Sequence, residues 1–481
     1  MELKIKFMKW STGMYGAMLN RKTAKKIGLH PKDRINIRTI SRKPKEVFTF
    51  VNTIDHLVKS NEIIISSETK ERFGLKNGQM VEVNLAKVSP SINLIKKKLD
   101  GKILSQKEIK EIIANVVDNS LSEAEIALFV SAMYEKGMNF KETISLIKAI
   151  LETGNTFSLN SKFVADKHSI GGIPGNRTTP IVVPICAVAG LVMPKNSSRA
   201  ITSATGTADV IEAIARVEFS IKELKKILKK TNAFMVWGGA LGVVPADSKI
   251  IQIEKSLKID PEAQLLASIM AKKLAVDSKY IVIDIPYGKN AKVDRKKALH
   301  LKKKFESVGR YFNRKLEVVL TDGNKPIGRG IGPIPELRDI ISVLDPSKKG
   351  PKDLEEKSLM LAGRLLEMSG KVKKGKGIAR ATYILNSGLA FKKFKEIINA
   401  QGGSLSKIKP SKFEKKIIAK KSGRVVEIIN RKINNLAKIA GSPIDKAAGL
   451  YLHKNVGERV EKGKPIITIY AESKSRLNQA I

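Results

Sequence analysis

Cysteine occurs once in 481 residues, at Cys186 inside an apolar segment, which excludes a disulfide framework and fits a reducing cytoplasm. Histidine is nearly as scarce. Its five scattered residues, with that one cysteine, form no metal-ligand cluster, so no metal is expected. Aromatic residues make up 5% of the chain, and few lie among the lysines as base-stacking platforms. The longest apolar runs, such as Ile181–Met193, fall short of the ~20 residues a bilayer span requires. The opening MELKIKFMKW alternates like a strand and lacks the apolar block of a signal peptide. A cytoplasmic location away from membranes is expected. Acidic residues are the last deficit, 46 against 89 Lys and Arg, for a net charge of +43. Such an excess attracts polyanions. The lysines, however, are spread along the chain, with only small clusters at 96–98, 302–304 and 415–421. A solvated basic surface is the simpler reading, nucleic acid is not the expected partner, and an anionic small substrate would profit from the field.

What is present is a chain too long for one core of roughly 250–300 residues. Residues 1–88 read as strands and contain an internal repeat: Leu19–Ile37 matches Ile65–Val83 at a spacing of 46. Each copy has the chemistry of a short helix closed by Gly28 or Gly74 and feeding an edge strand. Two copies predict a pseudo-symmetric β barrel of double-psi-like form. From 89 to 160 the pattern turns helical, over Leu94–Leu99, Ser105–Asn119, Ser122–Lys136 and Phe140–Thr153. Ser105 with Glu108, and Ser122 with Glu125, have capping-box spacing. The segment at about 240–276 is expected to join this helical subdomain, through the amphipathic helix Pro261–Leu274.

Residues 161–405 alternate short apolar runs with helices, including the strand Tyr280–Ile285, a long basic helix Lys292–Arg310 and the strand Leu316–Thr321. That alternation predicts an α/β domain. Gln401–Ser406 reads as a linker, and 410–481 as an α+β tail of structural or oligomerisation use. The fold class expected is multidomain, α/β and α+β.

The chemistry concentrates in Phe163–Ile214. Two loops rich in Gly, Ser and Thr, at 169–179 and 196–207, each precede an apolar segment of helical length. Helix N-termini expose unpaired N–H groups and bind anions. Lys167 and Ser169 precede a glycine pair that lets backbone approach an anion closely; Thr179 and Thr207 open the following helices. Any one of these residues would also serve as an ordinary helix cap. Asp260, ahead of Pro261-Glu262, has the form of an N-cap with proline at the first helical position.

The wording KHSIGGIPGN…SSRAITSATGTAD resembles the thymidine/pyrimidine-nucleoside phosphorylase superfamily and, within it, the archaeal AMP phosphorylases. The likeness covers about 90–481, and the N-terminal barrel is a domain that the archaeal enzymes share. It implies phosphate-binding roles for Lys167, Ser169, Thr179, Ser197 and Thr207. It implies nucleotide contacts from Gly172, Ser198, Arg199, Ala200, Ile201, Thr202, Ser203, Thr207, Ser268, Lys272 and Lys292, with Lys289 as the alternative to Lys292. His168 matches the active-site histidine, and Asp260 the acid that protonates the leaving base. Ser268 and Lys272 share one helix face at i, i+4. The pyrimidine enzymes carry an arginine where this chain has Ile253, which leaves room for a purine. Asn176-Arg177 replaces their acidic position and adds positive charge.

The implied reaction is AMP plus phosphate to adenine plus ribose 1,5-bisphosphate, with CMP and UMP as possible further substrates. It needs no organic cofactor, and the family is usually oligomeric. A pyrimidine-nucleoside phosphorylase is the nearest alternative, a basic nucleic-acid-binding protein a distant one.

Overall fold

A computed structural model describes the chain apart from residues 9, 11–15, 87, 88, 158, 160, 240, 241 and 410, and the side chain of Arg72. The expected boundaries at 88, 160, 240 and 410 therefore fall outside the described residues. Two compact units emerge: Met1–Ala149 with Gln252–Gln264, and Ile150–Ile251 with Leu265–Ile481.

The first unit opens with a closed six-stranded barrel. The 46-residue repeat is its symmetry. Ala17 pairs with Ile65 and Leu19 with Ile63, a set that maps onto itself under the shift, and Ile37 faces its own counterpart Val83. Each copy carries its short helix, Arg21–Lys26 and Ser67–Phe73, and Gly74 ends the second in the left-handed region. One expectation changes: the strands after these helices are not edges. Arg34–Thr39 and Met80–Leu85 pair with each other and with a further strand each, because closure leaves no edge to protect. The helices that follow start where the caps predicted, with complete capping boxes at Ser105/Glu108 and Ser122/Glu125. Arg34 reaches from the barrel to Glu125 and the Ser120 carbonyl.

The second unit is built on parallel strands. Lys315–Asp322, Tyr280–Tyr287 and Ala165–Ser169 pair in that order. Met193–Ser197 and Ala233–Trp237 form a second parallel pair, joined to the first sheet through a Val164–Val192 bridge. The helix Thr179–Val188 (TPIVVPICAV) is apolar on every side and buried from Thr179 to Ala187, the pattern of a helix enclosed within an α/β core. Cys186 lies in it, and burial pushes its thiol well up, so it is inert. A C-terminal sheet, Gly330–Ile331, Gly449–Leu452, Pro465–Ala471 and Phe413–Ile418, packs with the helices Asn430–Ala440 and Lys474–Ala480 as an α+β tail.

Several elements differ from the sequence reading. Ser169, expected to open the first loop, is the last residue of the strand Ala165–Ser169. The long basic helix starts at Arg295, because the Asp294 side chain caps it by accepting from Lys297 N at 2.7 Å. Gln401 is no linker residue. It is buried, accepts from Met235 N and donates to the Met235 and Arg216 carbonyls, all within 2.9 Å. No helix among the described residues is long and apolar enough to cross a membrane.

Candidate active site

The Ala165–Ser169 strand sends alternate side chains to opposite faces, and each face holds a buried cluster of charge. On one, Asp166 accepts from Lys195 Nζ at 2.8 Å and from Lys273 Nζ at 2.6 Å. Burial would raise its carboxyl, but the two ammonium groups hold it below the usual range. Burial in turn pushes Lys273 down to about 7. His168, on the same face and half-buried, is driven well below the ordinary histidine value by burial, then by Lys273, Lys195, Lys272 and Lys167. Its ring is neutral at physiological pH.

On the opposite face stand Lys167 and Ser169. Lys167 is 1% exposed and donates to Thr178 Oγ1. Burial pulls its ammonium down to about 7, with Lys357, Lys195 and Arg177 acting in the same direction and Asp284 opposing. Ser169 lies in register with Asp284 on the neighbouring strand. Asn176 donates to Ser169 Oγ and to Asp284 Oδ2, each at 3.2 Å. Asp284 also meets Lys357 Nζ at 2.9 Å and Thr321 Oγ1 at 2.6 Å. Thr179 begins the buried helix, whose N-cap Thr178 makes no side-chain cap bond. That leaves the helix N-terminus beside Lys167 suited to an anion.

The second loop is organised differently. Ser197 ends its strand buried, its hydroxyl 3.4 Å from the Val236 carbonyl. Asp209 takes the backbone N–H groups of Ala200 and Gly206, each at 2.8 Å. The chain's own carboxylate thus takes one loop amide and the amide of the N-cap Gly206, just ahead of the helix Thr207–Glu212. Thr207 accepts from Arg177 at 3.4 Å. Arg177 adds no free charge: it donates to Glu336 and to the Thr205 carbonyl, both at 2.6 Å. Arg199 is held by Glu212 through two bonds of 2.5 and 2.7 Å and stacks 4.6 Å over Trp237. The guanidinium keeps the Glu212 carboxyl at about 2. Ser198 is half-buried, its carbonyl packed against Gly206. Ser203 Oγ donates to the Thr205 carbonyl at 2.7 Å, and the Ile201 and Thr202 carbonyls accept from Lys438.

The loops meet. Gly172 has φ +91°, and a Cβ there would lie 3.3 Å from Lys292 Cβ, so both the backbone conformation and the close approach call for glycine. A Cβ on neighbouring Gly171 would lie 3.4 Å from Thr202 Oγ1. Lys292 is half-buried there, whereas Lys289 is 82% exposed beside Glu427. Of the two, Lys292 is the one in contact with the first loop. Ser268 and Lys272 form one unit: Lys272 Nζ donates to Ser268 Oγ at 2.7 Å and to the buried carboxylate of Asp247. Asp260 belongs to the Gln252–Gln264 piece of the first unit, two residues ahead of the helix Glu262–Ala275. Ile253, in the same piece, is buried.

Asp284, Lys357, Thr178 and Asp247 were given no site role from sequence, and Asn176 was read only as part of a replaced acidic position. Two left a trace. Asp284 is a lone carboxylate in an apolar strand, and Lys357 falls on the core face of its helix between Leu354 and Leu361; a charge in either place must be paired.

A separate cleft of about 590 Å³, lined by Lys325, Arg329, Asp339 and Tyr451 among others, contains none of the expected site residues. Asp339 is buried and accepts from Arg329 N and Gly330 N at 2.6 and 2.7 Å, yet burial raises its carboxyl to about 6. A carboxyl raised in the folded state contributes stability at low pH that is lost as pH rises toward 6. Asp339→Asn keeps an acceptor for both N–H groups. Its stability relative to wild type should therefore improve by on the order of 2–3 kcal/mol between pH 4 and pH 7.5. Denaturant melts at the two pH values check this; an equal difference at both would refute it.

A parallel α/β core with a buried cationic strand, an open helix end and converging Gly/Ser/Thr loops suits an anionic substrate. Family models give the class, a glycosyl transferase of the nucleoside-phosphorylase kind. The helical bundle domain of a glycosyl transferase family matches 92–154, that family's a/b domain 161–391, and the pyrimidine nucleoside phosphorylase C-terminal domain 425–481. A solved anthranilate phosphoribosyltransferase from Thermus thermophilus shares the fold, with a TM-score of 0.54 and 17% identity over 64% of this chain and 99% of its own. Over its whole length the chain is 43% identical to the AMP phosphorylase of Thermococcus kodakarensis and 41% to that of Methanococcus vannielii, covering 96% and 95% of them. It is 42% identical over 99% of its length to the AMP phosphorylase of Pyrococcus furiosus. The chain belongs to the AMP phosphorylase family.

Proposed function

We propose that the protein cleaves AMP with inorganic phosphate, giving adenine and ribose 1,5-bisphosphate. The observation that carries this reading is the full-length match, barrel included, to AMP phosphorylases at 41–43% identity. In the reaction the C1′–N9 bond breaks, a phosphate oxygen bonds to C1′, and Asp260 gives its proton to the departing purine. Lys167, Ser169, Thr179, Ser197 and Thr207 hold the attacking phosphate. The nucleotide is held by Gly172, by Ser198–Ser203 with Thr207, and by Lys292 at its 5′-phosphate. Ser268 and Lys272 face the base. Neutral His168 supplies a hydrogen bond rather than a charge. We assign the same site to CMP and UMP as secondary substrates, and the working form to a cytoplasmic homo-oligomer in which 1–88, 89–160, 161–405 and 410–481 act as domains.

The test is direct. With phosphate, AMP should release adenine at least about 100-fold faster, in kcat/KM, than adenosine does, because adenosine lacks the 5′-phosphate assigned to Lys292. Equal rates on the two would remove the 5′-phosphate from recognition, and no adenine from either would remove the activity.

A further inference from the structure

The C-terminal helix Asn430–Ala440 does more than pack. Its apolar side, Ile433, Ala437 and Ala440, is buried in the tail domain's core. Every fourth residue on another face is polar and turned to the loops of the candidate site. Asn430 Nδ2 donates to the Asn290 carbonyl at 3.0 Å and to that of Gly323 at 2.9 Å, holding the loop that carries Lys292. Asn434, also buried, joins the two anion loops through one amide. Its Nδ2 donates to the Gly172 carbonyl at 3.1 Å, and its Oδ1 accepts from Ala204 N at 3.0 Å. Lys438 donates to the Ile201 and Thr202 carbonyls, and Ser442, just beyond the helix, to that of Ala204 at 3.1 Å.

We propose that this polar stripe is the positioning element of the nucleotide site, and that Asn434 sets the spacing between the loops at Gly172 and at 196–207. The physical ground is that an isolated Gly/Ser/Thr loop has many conformations of similar energy. A side-chain amide with one donor and one acceptor fixed on a rigid helix selects the single pair of loop positions that satisfies both. The stripe touches backbone of loops assigned to the nucleotide. The five residues assigned to phosphate stand on strands, as Lys167, Ser169 and Ser197 do, or open helices, as Thr179 and Thr207 do, so those elements rather than the stripe fix them. Asn434 is accordingly a positioning residue for one substrate and not the other. This rests on the AMP phosphorylase reading.

Asn434→Asp keeps the acceptor for Ala204 N but sets a carboxylate oxygen against the Gly172 carbonyl. Its KM for AMP should rise about 10-fold or more, as the loss of one buried hydrogen bond and an added repulsion implies. Its KM for phosphate should stay within about twofold. A merely structural residue would lower the melting temperature and the active fraction without separating the two KM values, and that result overturns the proposal. So does an unchanged KM for AMP. If Asn434→Asp is insoluble, Lys438→Met decides by the same separation, at about threefold for AMP. Wild-type protein that releases no adenine from AMP defeats the proposed function and takes this inference with it; active wild type with unseparated variants defeats the inference alone.

Discussion

Asp260→Asn is expected to lower kcat for AMP phosphorolysis by about 10²–10⁴-fold, the usual contribution of a positioned general acid, while KM for AMP stays within a few-fold. Adenine leaves poorly as an anion, so the barrier depends on a proton reaching the ring as the glycosidic bond lengthens. Asparagine has nearly the same shape as aspartate and no proton to give. It is also as good at a helix start, and Asp260 stands half-buried just ahead of the helix Glu262–Ala275. The substitution therefore separates catalysis from capping: a structural loss would show in the melting temperature, a chemical one only in turnover. Turnover within threefold of wild type would remove Asp260 from the mechanism.

The second large effect concerns Lys167. Its ammonium is buried and its pKa is pulled down to about 7. A lysine lowered in this way carries its charge below about pH 7 and loses it above. Attraction for phosphate is thus present on the acid side and fades on the alkaline side. Because bound phosphate itself favours the charged form, the loss belongs to the free enzyme and should appear in kcat/KM for phosphate more than in kcat. Lys167→Arg stays charged throughout. The ratio of wild-type to variant kcat/KM should fall as pH rises from 6 to 9, and phosphate's own ionisation cancels in that ratio. Lys167→Met, with no cation at any pH, should raise KM for phosphate by about 10²-fold. A flat ratio, or a Met variant with ordinary phosphate affinity, would take Lys167 out of the phosphate site.

The elements read correctly from sequence are those whose signals lie within a few residues of each other. Ser105/Glu108 and Ser122/Glu125 are reciprocal bonds across three positions. The barrel's symmetry is the 46-residue repeat itself. The strand Tyr280–Tyr287 and the helix Glu262–Ala275 announce themselves by period. The helix Asn430–Ala440 was missed for a local reason. Three asparagines lower its helix propensity, and only burial of Ile433, Ala437 and Ala440 on one side justifies it.

Charge partners are another matter. Arg177 looked like free positive charge until Glu336, 159 residues away, was found beside it. Six of the lysines in a strongly basic chain, Lys98, Lys167, Lys195, Lys272, Lys273 and Lys357, are buried, although composition spoke for a solvated surface.

From the order of residues alone come the two Gly/Ser/Thr loops, the multidomain class, the barrel and the family resemblance, because each is written in contiguous spacing. Only the tertiary structure decided that Asp209 turns back onto Ala200 and Gly206 of its own loop, which of Lys289 and Lys292 meets Gly172, and that the tail domain holds the loops through Asn434. Those outcomes depend on strand register and on buried charges and amides finding partners 108 to 262 residues away. A polar group taken out of water must be paired, and nothing local in the chain names the partner.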